Sequence, residues 1–203
     1  MQKTKILFAS SNAGKIKEMG YLINRHLDGL KIELLGLKDV GFTDDITENG
    51  ASFEANAEIK ARAVFDKTGL ISFGDDSGLC VDCLGGAPGI YSARYSGGDS
   101  SDNITRLLEE LDGVPDNNRT AHFYCAIYCA VSRTENFCVS GKCGGMITRK
   151  IYGENGFGYD PVFYYRPKAK TFAQLSDEEK NTVSHRAIAA KAFAEKIVKY
   201  IKL

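Results

Sequence analysis

Asp75 and Asp76 stand next to each other at the end of a short apolar run, Gly69–Phe73, and open the stretch GDDSGLCVDCLGGAPGIYSARYSG. Two hard oxygen ligands beside a loop shaped by glycine suit a divalent cation, and the carboxyl end of a strand is where an α/β sheet presents its ligands. The same pair also fits a polar turn with two solvated acids. A second group, Ser10-Ser11-Asn12-Ala13-Gly14-Lys15, follows the apolar run Lys5–Ala9 and precedes a helical pattern. Backbone N–H groups and the positive end of a helix bind anions in that arrangement, and a first-turn lysine opposes the helix dipole but suits a phosphate. The P-loop consensus is not met, because its first glycine is absent and Ile16 replaces Ser/Thr; an ordinary N-cap by Ser11 or Asn12 is the competing reading. Phe157 and Tyr159, in the glycine-rich GENGFGYDP, can stack on a planar ring, with Asp160 beside them. Lys180, His185 and Arg186 supply hydrogen-bond donors, arginine being suited to planar, bidentate recognition.

The elements that must position these groups follow from periodicity. Ile16, Met19, Leu22, Ile23 and Leu27 recur at helical spacing after the first strand, and Lys31–Leu35 reads as a second strand. Lys38–Gly50 is acidic and turn-rich, a surface loop. Ala51–Lys67 is a helix with Phe53, Ala57, Ala61, Val64 and Phe65 on one stripe; Lys60 on it belongs, by default, to a solvated face. Ser101–Leu111 is a helix with Ile104, Leu107 and Leu108 inward. Thr120–Val131 is apolar on both faces, hence a central strand, and Phe137–Cys143 returns beside it after a turn at Ser132–Asn136. Ser176 to Glu179 is a capping box, and a last helix headed by Ser184-His185-Arg186 is expected to bury Ile188, Ala192, Phe193, Ile197 and Ile201. Strands alternating with helices, then an antiparallel pair, predict an α/β fold: a mixed central β-sheet flanked by helices.

The chain has 203 residues, enough for one domain with a real core, spanning 1–203. Lys+Arg and Asp+Glu balance at 26 each, so no basic surplus drives binding to nucleic acid. The apolar run in MQKTKILFASS is short for a signal peptide and no later run approaches membrane-spanning length, so the expected location is cytoplasmic. Of the six cysteines, Cys80 and Cys83 form a C-x-x-C without a second pair at zinc spacing. Cys125 and Cys129 read as small hydrophobes on one strand face, and reduced thiols are expected throughout.

Together the four clusters suit a nucleoside triphosphate: N–H donors and a lysine for phosphates, two acids for Mg²⁺, aromatic rings for stacking, and donors for base carbonyls. SSNAGK, DDSGLCVDCLGGAPGIYSARYSG, GFGYDPVF and EEKNTVSHR resemble, in order, the signature blocks of the inosine triphosphate pyrophosphatase family, the Ham1-like enzymes. The helix ENGASFEANAEIKARA is similar too. The likeness runs from about Lys5 to about Ala192 and is nearest to the bacterial dITP/XTP pyrophosphatase branch, which carries DDSG and SARYSG.

The resemblance implies two lobes with a nucleotide cleft between them, hydrolysis of ITP, dITP and XTP to the monophosphate and pyrophosphate, Mg²⁺ as cofactor, and a homodimer that binds neither nucleic acid nor membrane. It implies that Ser10, Ser11, Asn12, Ala13, Gly14 and Lys15 contact the triphosphate, joined by Lys60. Asp76 is then the catalytic carboxylate and a metal ligand, Asp75 supports the metal, and Ser77 touches substrate. Phe157, Gly158, Tyr159 and Asp160 form a wall of the base pocket, and Lys180, His185 and Arg186 read the base edge. Ser10 stands where threonine is usual and keeps the hydroxyl. Ala55 replaces a frequent glutamate, so no metal ligand is carried to it, while Glu48 is placed near the metal. Cys80 and Cys83 replace small apolar residues. Two rivals are the Maf-like nucleotide pyrophosphatases, against which the SHR and GFGYDP blocks argue, and a nucleotide-binding regulator without hydrolysis, against which Asp75, Asp76 and Lys15 argue.

Overall fold

A computed structural model describes residues 4–27 and 32–201. Seven strands form one mixed sheet in the order β2-β1-β3-β4-β5-β6-β7. They are β1 Thr4–Phe8, β2 Ile32–Leu35, β3 Ser72–Val81, β4 Thr120–Ala130, β5 Asn136–Ile147, β6 Phe163–Tyr165 and β7 Lys170–Thr171. The helices are α1 Ala13–His26, α2 Phe53–Thr68, α3 Ser100–Glu110, α4 Asp177–Val183 and α5 His185–Ile197. Lys31, expected to open β2, lies outside the described residues. By backbone contacts the chain divides into two compact units: the described parts of Met1–Asp76, Cys125–Gly141 and Arg186–Leu203, and a second made of Ser77–Tyr124 and Lys142–His185.

The first unit is built on parallel pairing. β1 pairs with β2 from Thr4↔Ile32 to Leu7↔Leu35, and with β3 at Leu7↔Ser72 and Phe8↔Phe73. Side chains alternate along a strand, which sorts the core into two layers. Ile6, Phe8 and Phe73 pack with Met19, Leu22 and Ile23 of α1 and with Phe193 and Ile197 of α5. Leu7 packs with Val64 of α2 and Phe42. The Phe8 and Phe73 rings stack with centroids 4.7 Å apart. Cys125, Ile127 and Cys129 enter the first layer as spaced inward residues of β4, as a strand with a period of two requires.

The second unit gathers Leu79, Val81, Leu107, Leu111, Phe123, Ile147, Phe163 and Phe172. Its sheet portion is antiparallel, with β5 to β6 in register at Ile147↔Phe163 and β6 to β7 at Tyr164↔Thr171. Arg119 is buried here, its guanidinium donating to the carbonyls of Leu111, Ile147 and Thr148 at 2.6 to 2.9 Å.

Three expectations are corrected. Gly69 is not in a strand: it is the left-handed C-cap of α2, at φ 69°. β3 starts at Ser72 and runs on through the acid pair to Val81, so Asp75 and Asp76 lie inside a strand rather than after it. The partner strand β1 ends at Phe8, however, so the acids lie beyond the carboxyl end of the parallel pairing. Ile188 is exposed and Ala192 half-buried rather than buried, because Ala189, Ala190, Phe193, Ala194 and Ile197 form the inward stripe of α5. Among the described residues no helix is long and apolar enough to cross a membrane.

Candidate active site

Consecutive strand residues point to opposite faces, and β3 uses this to separate its two carboxylates. Asp75 shares the face of Phe73 and meets cations from the two helices on that side. Lys15 Nζ, in the first turn of α1, lies 3.3 Å from its Oδ1, and Arg186 Nε, in the first turn of α5, lies 3.8 Å from its Oδ2. Arg186 also reaches Glu18 of α1 at 3.4 Å. Asp75 is only 2% exposed. Burial pushes its pKa up, but Lys15, Arg186 and Lys60 outweigh that and hold the carboxyl below its ordinary value.

Asp76 shares the face of Gly74, toward α2. A Cβ on Gly74 would sit 2.6 Å from the Ala57 carbonyl oxygen and 2.9 Å from Lys60 Cβ. Only glycine lets β3 lie this close to the helix backbone. That approach brings Asn56 and Lys60 to Asp76: Asn56 Nδ2 donates to Oδ2 at 3.0 Å, and Lys60 Nζ lies 3.9 Å from Oδ1. The same ammonium is 2.7 Å from Glu48 Oε2. Lys60, which helix position alone assigns to a solvated face, is 8% exposed and stands between two carboxylates. The Asp76 pKa is raised, chiefly by burial; Lys60 and Asn56 offset this in part, and Glu48 adds to it. Neighbouring acids whose pKa values are pushed apart can divide the work, one a fixed counter-charge and one a proton acceptor.

Ahead of α1, the Asn12 side chain accepts from the Lys15 backbone N–H at 3.0 Å, and the Asn12 N–H donates to Ser10 Oγ at 3.2 Å. The N-cap reading holds, with Asn12 as the capping residue. The cap uses one N–H of the first turn, while those of Ala13 and Gly14 have no acceptor within the helix, and Ser11, Asn12, Ala13 and Gly14 are all exposed.

In the second unit the GFGYDP turn is folded around Asp160. Its Oδ2 accepts from the Phe157 N–H at 2.9 Å and from Lys180 Nζ at 2.5 Å. At Gly156, φ 75°, a Cβ would fall on that carboxylate. Lys180 lies 4.8 Å from the Phe157 ring centroid, a cation–π contact. Phe157 is 52% exposed, whereas Tyr159 is 4% exposed in the core, its hydroxyl donating to the Ser92 carbonyl at 2.9 Å. Burial drives the Tyr159 pKa upward. His185 is buried with its ring stacked on Phe123 at 4.7 Å. Gly158 adopts φ 58°, and Ser77 is half-buried on β3.

Within the first unit the structure thus brings together Lys15, Lys60, Asp75, Asp76 and Arg186, and within the second Phe157, Asp160 and Lys180. Arg186 falls with Asp75 and Glu18, although its sequence neighbour His185 belongs to the other unit. Asn56, Glu18 and Phe123 were not singled out by sequence. Asn56 had a signal: asparagine is a poor helix former, and here it stands four residues before Lys60, beside the apolar stripe.

The Ham1 family model matches residues 6–196. A dITP/XTP pyrophosphatase of Bacillus licheniformis is 44% identical over 189 residues, covering 92% of this chain and 94% of the relative. A HAM1 protein structure from Coxiella burnetii superposes with a TM-score of 0.88 at 36% identity, covering 97% and 99% of the two chains. A structure of a nucleoside-triphosphatase / dITP/XTP pyrophosphatase from Mycobacterium abscessus gives 0.77 at 43% identity, covering 94% and 97%. On this evidence the chain belongs to the Ham1 family.

Proposed function

We propose that this chain hydrolyses deaminated purine nucleoside triphosphates, ITP, dITP and XTP, to the monophosphate and pyrophosphate, clearing them from the nucleotide pool. The observation that carries the reading is Asp76: a buried carboxylate with a raised pKa, held by Asn56 and Lys60, in a chain alike over nearly its full length to relatives named dITP/XTP pyrophosphatase.

Polyphosphate binding is assigned to the first unit. Lys15, Lys60 and the first-turn N–H groups of α1 offset phosphate charge, which is most of what such a transfer requires. Asp76 and Glu48 offer hard oxygens, too few for an all-protein cage. Such a set suits Mg²⁺, which takes one or two carboxylates and completes its shell with water and phosphate oxygens. Asp75, expected as a second ligand, can support that site from the opposite face of β3. Bound there, Mg²⁺ would neutralise charge developing on the leaving pyrophosphate. Asp76 orients the attacking water and accepts its proton as the oxygen closes on the α-phosphorus.

Base recognition is assigned to the second unit, with Phe157 as the stacking face and Lys180 and His185 as donors toward O6 of hypoxanthine or xanthine. Adenine presents an N6 amino group instead, and each buried mismatch costs about 1–3 kcal/mol, roughly one to two orders of magnitude. The reading includes a cytoplasmic homodimer. Hydrolysis of dITP in ¹⁸O-water tests the chemistry: label in the monophosphate supports attack at the α-phosphorus, and label in pyrophosphate or free phosphate overturns it.

A further inference from the structure

Residues 42–50 form no helix or strand, yet this segment carries Glu48, one of the two carboxylates beside Lys60. Three side chains of α2 strap it down. Asp44 pairs with Lys67 at 2.6 Å, Glu48 with Lys60 at 2.7 Å, and the Gly50 N–H donates to Asn56 Oδ1 at 2.8 Å. At 3.6 residues per turn, Asn56, Lys60 and Lys67 fall along one side of the helix. The outermost strap is exposed and weak. Asn56 is 1% exposed and connects two segments, because its Nδ2 donates to Asp76 Oδ2 at 3.0 Å. Its orientation is fixed by chemistry: the Gly50 N–H is a donor only, so the amide oxygen faces it and Nδ2 is left to donate to the Asp76 carboxylate. The Gly50 backbone is held just as tightly. A Cβ there would lie 2.8 Å from Asn56 Oδ1 and 2.9 Å from Asn56 N.

We propose that Asn56 is a positioning residue for the hydrolysis, its amide joining the Asp76 carboxylate to the main chain of the segment that presents Glu48, so that two acids from distant parts of the chain act at fixed separation. The proposal rests on the reading of Asp76 and Glu48 as the reacting end of the site. No other side chain of similar size serves both contacts. Aspartate keeps an acceptor for Gly50 but sets a carboxylate against Asp76. Leucine fills the volume and leaves both polar groups without this partner.

Two variants and two readouts test it: kcat and KM for dITP, normalised to folded protein, and hydrogen exchange at the Gly50 amide without substrate. Asn56→Ala is expected to lose at least tenfold of the Gly50 protection and about 10–100-fold in kcat, with KM moving less than about threefold. Asn56→Asp, nearly isosteric and available should the alanine variant not fold, is expected to keep the Gly50 protection and lose as much kcat. That separation of loop order from turnover is not produced by a merely structural asparagine. A kcat within about threefold of the parent for either variant overturns the proposal, as does unchanged Gly50 protection in Asn56→Ala. A parent inactive on dITP sinks the functional reading and the catalytic half of this one together; an active parent with an unaffected variant sinks this proposal alone.

Discussion

Asp75 and Asp76 are joined by one peptide bond, and their carboxylates are held on opposite faces of β3. Lys15 and Arg186 approach the first at 3.3 and 3.8 Å, while Asn56 and Lys60 approach the second at 3.0 and 3.9 Å. The surroundings lower one pKa and raise the other. A dipeptide that reads as a symmetrical pair of acids is two different groups.

Their asparagine variants are therefore expected to behave in opposite ways. Asp76→Asn removes the proton acceptor and lowers kcat by at least about a hundredfold, while relieving a buried charge, so its melting temperature at neutral pH is equal to or above the parent's. Asp75→Asn leaves two cations without their buried counter-charge and costs about 3 kcal/mol of stability. Thermal melts beside dITP kinetics check both. Melts falling together for the two variants would contradict the assignment.

The folded pKa of Asp75 lies below its unfolded value of about 3.9, so its stabilisation is complete above that pH and is lost as pH falls through the folded value. Asp76 has the opposite sign: its raised pKa favours the folded state at low pH, and that contribution disappears as pH rises through the folded value. Melting curves taken downward from pH 7 should show a shallower acid limb for Asp75→Asn than for the parent.

Gly74 sets the approach of β3 to α2. In Gly74→Ala the new methyl lies 2.6 Å from a backbone oxygen and 3.1 Å from the Ala61 nitrogen, neither of which can move aside alone. The variant should lose about 1–3 kcal/mol in urea denaturation and should raise the KM for dITP through displacement of Lys60. An alanine variant as stable as the parent would contradict the close approach.

The two aromatic residues of the GFGYDP turn should separate cleanly. Tyr159→Phe removes one buried hydrogen bond, costing about 1 kcal/mol, and leaves KM unchanged. Phe157→Ala leaves the melt unchanged and raises KM for dITP several-fold through lost stacking, which is worth about 1–3 kcal/mol per base. Reversed phenotypes would place the stacking ring at Tyr159.

Much of this was legible in the sequence where local chemistry decides. The Ser176–Glu179 capping box, the spaced cysteines of β4 and the apolar stripe of α2 depend on periods and caps, and they appear as read. The acid pair was legible as a site but not as two groups, because the apolar run before it gave no sign that β3 continues to Val81. Helix position gave Lys60 no reason to be buried; its burial follows from Gly74, a long-range packing constraint. Tyr159 and Phe157 looked equivalent on a flexible loop; what tells them apart is long-range, the burial of Tyr159 in the core and its bond to the Ser92 carbonyl, far away in the chain.

Hydrolysis of deaminated purine nucleotides is tested by pyrophosphate release from a panel of ITP, dITP, XTP, ATP and GTP with Mg²⁺. ITP, dITP and XTP are expected to exceed ATP and GTP in kcat/KM by at least about a hundredfold, the discrimination expected of a few buried polar contacts to the base. Equal values across the panel, or no pyrophosphate from any of them, would contradict it.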